Sequence, residues 1–205
     1  MRILSSKIDN KSQDKLSGLN VTFVEDFDEL VSLAKHDEFD LILFHDSIHN
    51  LNLLRKSGIE TPLIFLSGKT DPSYKAQCLT LGADDYLYVP FHPAELSARM
   101  QAIVRRANGH AHNYIRVGNL EINTTARRVS YGGNVLSLSM KQYQALELLA
   151  MKRGRKVTRE HIMRNLYNDD SSAPDSKIVD IWICKLRKVL PEGMIKTIWG
   201  EGYMI

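Results

Sequence analysis

Apolar and polar positions along the first half of the chain follow two alternating rhythms. The short apolar runs "MRILS" (1–5), "LNVTFVE" (19–25), "DLILFH" (40–45), "PLIFLS" (62–67) and "DYLYV" (85–89) have the length of buried strands. Between them lie amphipathic segments. Phe27, Leu30, Val31 and Ala34 share one helical face behind Asp26, a predicted N-cap with Glu29 three residues on, the pattern of a capping box. Asp71 is placed to cap a further helix, with Pro72 at its first position and Gly82 past its end. In "PAELSARMQAIVRR" (93–106), Leu96, Met100, Ile103 and Val104 line one side. Strand and helix in alternation predict an α/β fold with a parallel, doubly wound sheet. Two of the connecting helices look weak. Segment 7–18 has only Ile8 and Leu16 as large apolar side chains, and 46–58 is short and carries Asn50 and Asn52. Both follow strands, so they lie at the carboxyl edge of the sheet, where such folds place their ligands.

The second half changes rhythm. "YIRVG", "LEIN", "ARRVSY" and "NVLSL" read as short strands of an antiparallel sheet, with Gly132-Gly133 turning the last pair. Ser139, with Gln142 at the third helical position, opens a helix, and Leu138 and Tyr143 are spaced as a hydrophobic staple. Gly154 ends that helix and Thr158 caps the next. A polar loop, "NDDSSAP", precedes a long helix, "DSKIVDIWICKLRKVL". At about 100° per residue, Val179, Ile183, Leu186 and Leu190 cluster on one side and Lys177, Ile181, Cys184, Lys185 and Lys188 on the other. "MIKTIW", "GEG" and "YMI" then form a C-terminal hairpin. Three helices closed by a hairpin predict an α+β winged helix-turn-helix.

Charge separates the same halves. Residues 1–100 carry 10 basic and 15 acidic side chains and residues 101–205 carry 17 and 9, which makes the second half the candidate for double-stranded DNA. "RRANGHAHNY" reads as a linker. The expected domains are 1–104, a linker at 105–113, and 114–205. Cys78 and Cys184 form no C-x-x-C pair, so neither a disulfide frame nor a zinc site is expected. His45 and His49 have helical ligand spacing, but 45 falls at a strand end, and no metal or cofactor is predicted. No apolar run reaches the roughly 18 residues of a membrane span, and the N-terminus lacks a secretory segment, which points to a cytoplasmic protein. No nucleophile–base set appears, so an enzyme is not expected.

"LSG" after a strand, then "GADDYLYVPF" and "ELSARMQAIVRR", resemble the receiver domain of bacterial two-component response regulators, a flavodoxin-like fold. The resemblance implies a site of two acids after the first strand for Mg²⁺, an Asp at the end of the third strand, a Ser or Thr after the fourth and a Lys after the fifth. A phosphoryl group cannot approach a carboxylate unless a divalent cation and a Lys neutralise its charge. Here those positions hold Lys7 and Ile8, His45, Ser67 and Val89. Only Ser67 matches, and Asp9 and Asp46 are each displaced by one residue. The pocket reads as degenerate, an atypical receiver. Either Lys7 pairs with Asp46 or Asp9 and locks it, or Lys7 is an ordinary surface lysine. The resemblance also implies a homodimer through interleaved charges at Lys75, Asp84, Asp85, Glu95 and Arg99, although Gln77 stands where an Arg is usual.

The order of strands, helices and hairpin in the second half resembles the output domain of the OmpR/PhoB family, carried by "YQALELL", "KIVDIWICKLRKVL" and "IKTIWGEGY". The wording around 104–111 and 178–190 looks most like its CtrA-type branch. The chain closes at "GYMI", a few residues earlier than many relatives, as though trimmed. The basic stripe with Lys177, Ile181, Lys185 and Lys188 suits a major groove, with Arg187 on the flank within reach of phosphate. The resemblance implies that Lys177, Ile181, Lys185 and Arg187 lie on the groove-facing helix and Trp199 on the wing, with Thr197 and Tyr203 as candidate phosphate contacts. Trp182 is expected to pack against the first helix of the domain. Loop 168–175 matches a segment that contacts RNA polymerase in relatives. "RGRKVTR" (153–159) either touches the phosphate backbone or stays solvated. Two functions remain: a DNA-binding regulator that acts on tandem half-sites without phosphorylation, or a protein-interaction antagonist of a related regulator. A third option keeps Asp46 modified.

Overall fold

The computed structural model describes residues 1–110, 112–167 and 174–205, and the chain divides into two units, Met1–Ala107 and Asn108–Ile205. The first contains β1 (Arg2–Ser6), α1 (Asn10–Asp14), β2 (Asn20–Val24), α2 (Phe27–His36), β3 (Leu41–Phe44), α3 (Ile48–Lys56), β4 (Leu63–Ser67), α4 (Pro72–Thr80), β5 (Asp85–Tyr88) and α5 (Pro93–Ala107). Its sheet is parallel throughout, in the order β2-β1-β3-β4-β5. The central strands β3 and β4 are buried along their whole length. Continuous apolar runs are what a strand needs when helices cover both its faces.

The caps explain the helix starts. Asp26 accepts from the Glu29 N–H at 2.8 Å, but the Glu29 carboxylate reaches the N–H of Glu25, one residue before the cap. The weak segment 7–18 yields only the five-residue α1, capped by Asp9. Segment 46–58 does form a full helix, because Ser47 caps it and Leu51 and Leu54 bury its inner face. The helix α5 takes in Arg105, Arg106 and Ala107, which sequence reading gave to the linker. No helix breaker occurs before Gly109, so the helix continues.

Arg55 at the end of α3 is the main polar fastening of this unit. Its guanidinium donates to the carbonyls of Gly82 (2.8 Å), Ile59 (2.9 Å) and Thr61 (2.8 Å) and to Asp84 (3.0 Å). Asp84 also accepts from the Leu63 N–H at 2.8 Å. One side chain thereby joins α3 to the entries of β4 and β5.

The second unit begins with β6 (Tyr114–Val117), β7 (Leu120–Asn123), β8 (Arg128–Tyr131) and β9 (Asn134–Leu136), an antiparallel meander. Gly132 and Gly133, both at positive φ (55° and 84°), make the turn expected between the last two strands. Then follow α6 (Met140–Met151), α7 (Arg159–Leu166), α8 (Ile178–Val189), β10 (Lys196–Ile198) and β11 (Gly202–Met204). Ser139 and Gln142 complete the reciprocal capping box. Ile115, Ile122 and Val129 from successive strands share one core with Leu146, Leu149, Ile162, Ile183 and Leu186 from the three helices. The hairpin β10–β11 is held at its base by Val157, which exchanges backbone hydrogen bonds with Tyr203 at 2.8 and 2.9 Å. That approach requires glycine at 202: its φ is 151°, and a Cβ there would lie 2.1 Å from the Val157 carbonyl oxygen.

Two stability outcomes follow. Arg55→Ala leaves three backbone carbonyls and Asp84 without their donor and is expected to cost about 3 kcal/mol in the urea unfolding of residues 1–107. Gly202→Ala is expected to cost more than about 3 kcal/mol in the second unit, since the clash is with backbone that cannot move aside. A thermal melt of that variant matching the parent would show that the hairpin does not pack on Val157.

Candidate nucleic-acid interface and the receiver edge

The outward face of α8 follows from its inward one. Val179, Trp182, Ile183 and Leu186 are buried, as is Leu190 just past the helix end, and this fixes the helix rotation. Ile181, Cys184, Lys185 and Lys188 are then exposed, with Ile181 at 54%. The helix starts at Ile178 rather than near Asp175. Asp175 accepts the Lys177 N–H at 2.9 Å in a turn, and Lys177 sits exposed at the N-cap position. Lysines with one branched apolar side chain between them suit a major groove: the ammonium groups meet phosphates and guanine edges, and the apolar tip meets a thymine methyl. At the turn of the hairpin Trp199 is 90% exposed.

One expectation for this interface is corrected, and two further residues are found bonded within the protein. Tyr203 is not free for a phosphate. It is 4% exposed, and its hydroxyl donates to Asp180 at 2.5 Å and accepts from Arg159 at 3.2 Å. Arg187 is turned toward the hairpin, donating to the Ile195 carbonyl (2.8 Å) and to the Thr197 hydroxyl (2.8 Å), so Thr197 is also engaged. Trp182 is buried in the core that α6 shares and stacks on Tyr167 just past the end of α7, ring centroids 6.5 Å apart. Within "RGRKVTR", Arg159 donates to Asp180 at 2.7 Å and Lys156 to Glu201 at 2.8 Å, while Arg153 and Arg155 remain exposed. The Tyr203 hydroxyl, assisted by the Arg159 guanidinium, holds the Asp180 carboxyl below the usual carboxylate range. Burial, then the Asp180 charge, pushes the Tyr203 phenol up. Sequence reasoning missed Asp180, although its spacing from Arg187 puts both on one flank two turns apart. Residues 168–173 of the loop compared with a polymerase contact lie outside the described residues.

At the carboxyl edge of the receiver sheet, Lys7 forms an ion pair with Glu25 and with neither Asp9 nor Asp46, which removes the proposed lock. Asp9 instead accepts from the Ser12 N–H (3.0 Å) and hydroxyl (2.6 Å), and the Ser12 hydroxyl holds its carboxyl below the usual range. Asp46 accepts from the Ser47 N–H (2.5 Å) and the Asn50 amide (2.9 Å). Ile8 is buried and His45 exposed. The Ser6 hydroxyl, which sequence reading passed over, accepts from the His45 N–H at 2.7 Å and donates to its carbonyl at 3.3 Å, tying β1 to the end of β3. Ser67 is buried, its hydroxyl accepting from the Lys69 N–H at 3.2 Å, and the Val89 N–H donates to the Ser67 carbonyl at 3.0 Å. A hard cation needs several oxygen ligands. An apolar side chain, a lysine and two carboxylates already bonded within their own turns do not fit Mg²⁺.

Most charges expected at a dimer face are paired within the chain. Asp84 belongs to Arg55; Arg99 donates to Asp85 (2.8 Å) and to Glu95 (2.8 Å). Lys75 is exposed on α4, its ammonium 5.9 Å from the Tyr86 ring centroid; Leu79 on α4 (39%) and Tyr88 on β5 (46%) are also exposed.

The comparisons with known proteins agree with this division. Residues 10–101 match the family model for the response regulator receiver domain, and residues 133–205 the one for the C-terminal part of transcriptional regulatory proteins. The chain is similar to the cell cycle transcriptional regulator CtrA of Caulobacter vibrioides, 39% identical over 202 residues, 93% of this chain and 87% of that protein. It is 38% identical to the cell cycle response regulator CtrA of Brucella ovis over the same shares. A solved structure, the OmpR/PhoB homologue DrrB of Thermotoga maritima, is 26% identical and covers 100% of this chain and 99% of its own, with a TM-score of 0.46. No helix among the described residues is long and apolar enough to cross a membrane. With a receiver sheet, a winged helix and relatives that regulate transcription, the chain belongs to the OmpR/PhoB-type response regulators, DNA-binding transcription factors of the CtrA kind.

Proposed function

We propose that this regulator reads specific DNA without a phosphoryl switch in its receiver, and does so as a dimer on tandem half-sites. The observation that carries the reading is the state of the two nearest carboxylates. Asp9 and Asp46 are both spent on helix starts, and a lysine and an isoleucine stand where the metal-binding acids would be. Without a cation to offset it, a phosphoryl donor meets only repulsion at a carboxylate. The level of the protein, or a partner, then sets occupancy at promoters.

DNA reading rests on α8 in a major groove, with Lys177, Ile181, Lys185 and Lys188 outward, and on Trp199 at the flanking minor groove. Pairing rests on α4 and β5, where the exposed Leu79 and Tyr88 supply apolar contact beside Lys75. Exposed ion pairs alone, at about 0.2–1 kcal/mol each, would not hold a dimer.

Affinity for a promoter fragment is expected to be unchanged, within about twofold, by acetyl phosphate and Mg²⁺ in a gel-shift titration, a difference of under about 0.5 kcal/mol. An acid-labile phosphoryl adduct on Asp46 would overturn phosphorylation independence. Lys185→Ala is expected to weaken specific binding about tenfold and to reduce the slope of log K against log salt by about one, as for loss of one phosphate contact. Full promoter binding by that variant would instead favour a role through protein contacts.

A further inference from the structure

The outer flank of α8 grips the hairpin at two points. Asp180, in its first turn, accepts the Tyr203 hydroxyl at 2.5 Å. Arg187, two turns on, donates to the Thr197 hydroxyl at 2.8 Å and to the Ile195 carbonyl at 2.8 Å. Thr197 and Tyr203 are not independent targets: they are cross-strand partners in the β10–β11 ladder. The Tyr203 ring also lies between two guanidinium groups, Arg159 at 4.9 Å and Arg187 at 5.8 Å from its centroid. One rung of the hairpin is therefore held from both ends of the DNA-reading helix. Two residues beyond Thr197 the strand leaves the ladder and ends in Trp199, which makes no core contact and is 90% exposed.

We infer that the Thr197–Tyr203 rung is a positioning device: it transmits the placement of α8 to the wing, and so sets where Trp199 meets the duplex. These residues do not touch DNA themselves. Their hydrogen bonds fix the angle between two elements that must enter neighbouring grooves at once. The backbone bonds to Val157, the Gly154 N–H to Ile205 carbonyl bond and the Lys156–Glu201 ion pair tie the hairpin to the segment between α6 and α7, but none of them fixes it against α8. The side-chain bonds to Asp180 and Arg187 do so before binding, so the cost of ordering the wing is not met when DNA arrives. This also gives Arg159 and Arg187 partners within the protein on an otherwise basic surface.

The inference rests on the reading that Trp199 contacts the duplex, and a double-mutant cycle separates the two. The probe is a duplex selected by the intact 205-residue chain from a random-sequence pool. Its affinity is measured for the parent, Tyr203→Phe, Trp199→Ala and the double variant, each first shown to be folded by circular dichroism. Tyr203→Phe keeps the buried ring and loses only the hydroxyl. It is expected to weaken binding about tenfold in the parent and less than about twofold in the Trp199→Ala background, a loss typical of one charge-assisted hydrogen bond. Thr197→Val, which removes the acceptor for Arg187 at nearly constant shape, is expected to behave the same way. Equal losses with and without Trp199, the signature of a purely structural role, overturn the inference, as does no loss in the parent. In either case the wing contact stands if Trp199→Ala alone weakens binding. If Trp199→Ala binds like the parent, the wing reading fails and this inference fails with it.

Discussion

Burial of the apolar stripe on α8 is the constraint from which the basic outer face of that helix, the proposed DNA-reading surface, follows. Val179, Trp182, Ile183 and Leu186 enter a core shared with the meander and the other two helices. Each fully buried side chain of this size contributes about 1.5–3 kcal/mol, whereas an exposed ion pair contributes at most about 1 kcal/mol. The helix therefore cannot rotate to suit its lysines. Packing decides the rotation, and the basic face is what remains outside. The same burial brings Asp180 and Arg187 against the hairpin, so two polar side chains on a mostly basic helix end up inside the protein's own architecture.

Charge is used differently in the two units. In the receiver, acids near the carboxyl edge serve local backbone needs: Asp9 starts α1, and Asp46 accepts from Ser47 and Asn50 at the start of α3. Lys7 turns to Glu25 at the end of the neighbouring strand. Ser6 binds both backbone groups of His45, so the residue just past the end of β3 is tied to β1. Each contact is ordinary, and Asp9, Asp46 and Lys7 at this edge each have a partner within the chain. Arg55 and Asp84 show a related economy, since together they close the two loops that lead into β4 and β5.

In the output unit the basic groups divide into those that hold the wing and those that face outward. Arg159, Arg187 and Lys156 join α7, α8 and the hairpin, through Asp180, Thr197 and Glu201. Lys177, Lys185 and Lys188 face solvent. A large share of the local positive charge thus maintains shape, which favours a defined docking geometry over indiscriminate attraction to phosphate.

The order and kind of elements were legible from the sequence because they depend on local periodicity. The apolar runs of β3 and β4, the capping residues Asp26, Asp71, Ser139 and Thr158, and the Gly132-Gly133 turn act within a few residues of themselves. The two faces of α8 were legible for the same reason. Long side chains were not legible. Arg187, Tyr203, Arg159 and Lys7 can each reach several partners, and only the chain's return path chooses among them. Tyr203 meets Asp180 because Gly202 lets the last strand come up against Val157, and Lys7 meets Glu25 because β2 lies beside β1. Sequence determines which groups need a partner; the tertiary structure decides which partner lies within about 3 Å, the reach of a hydrogen bond.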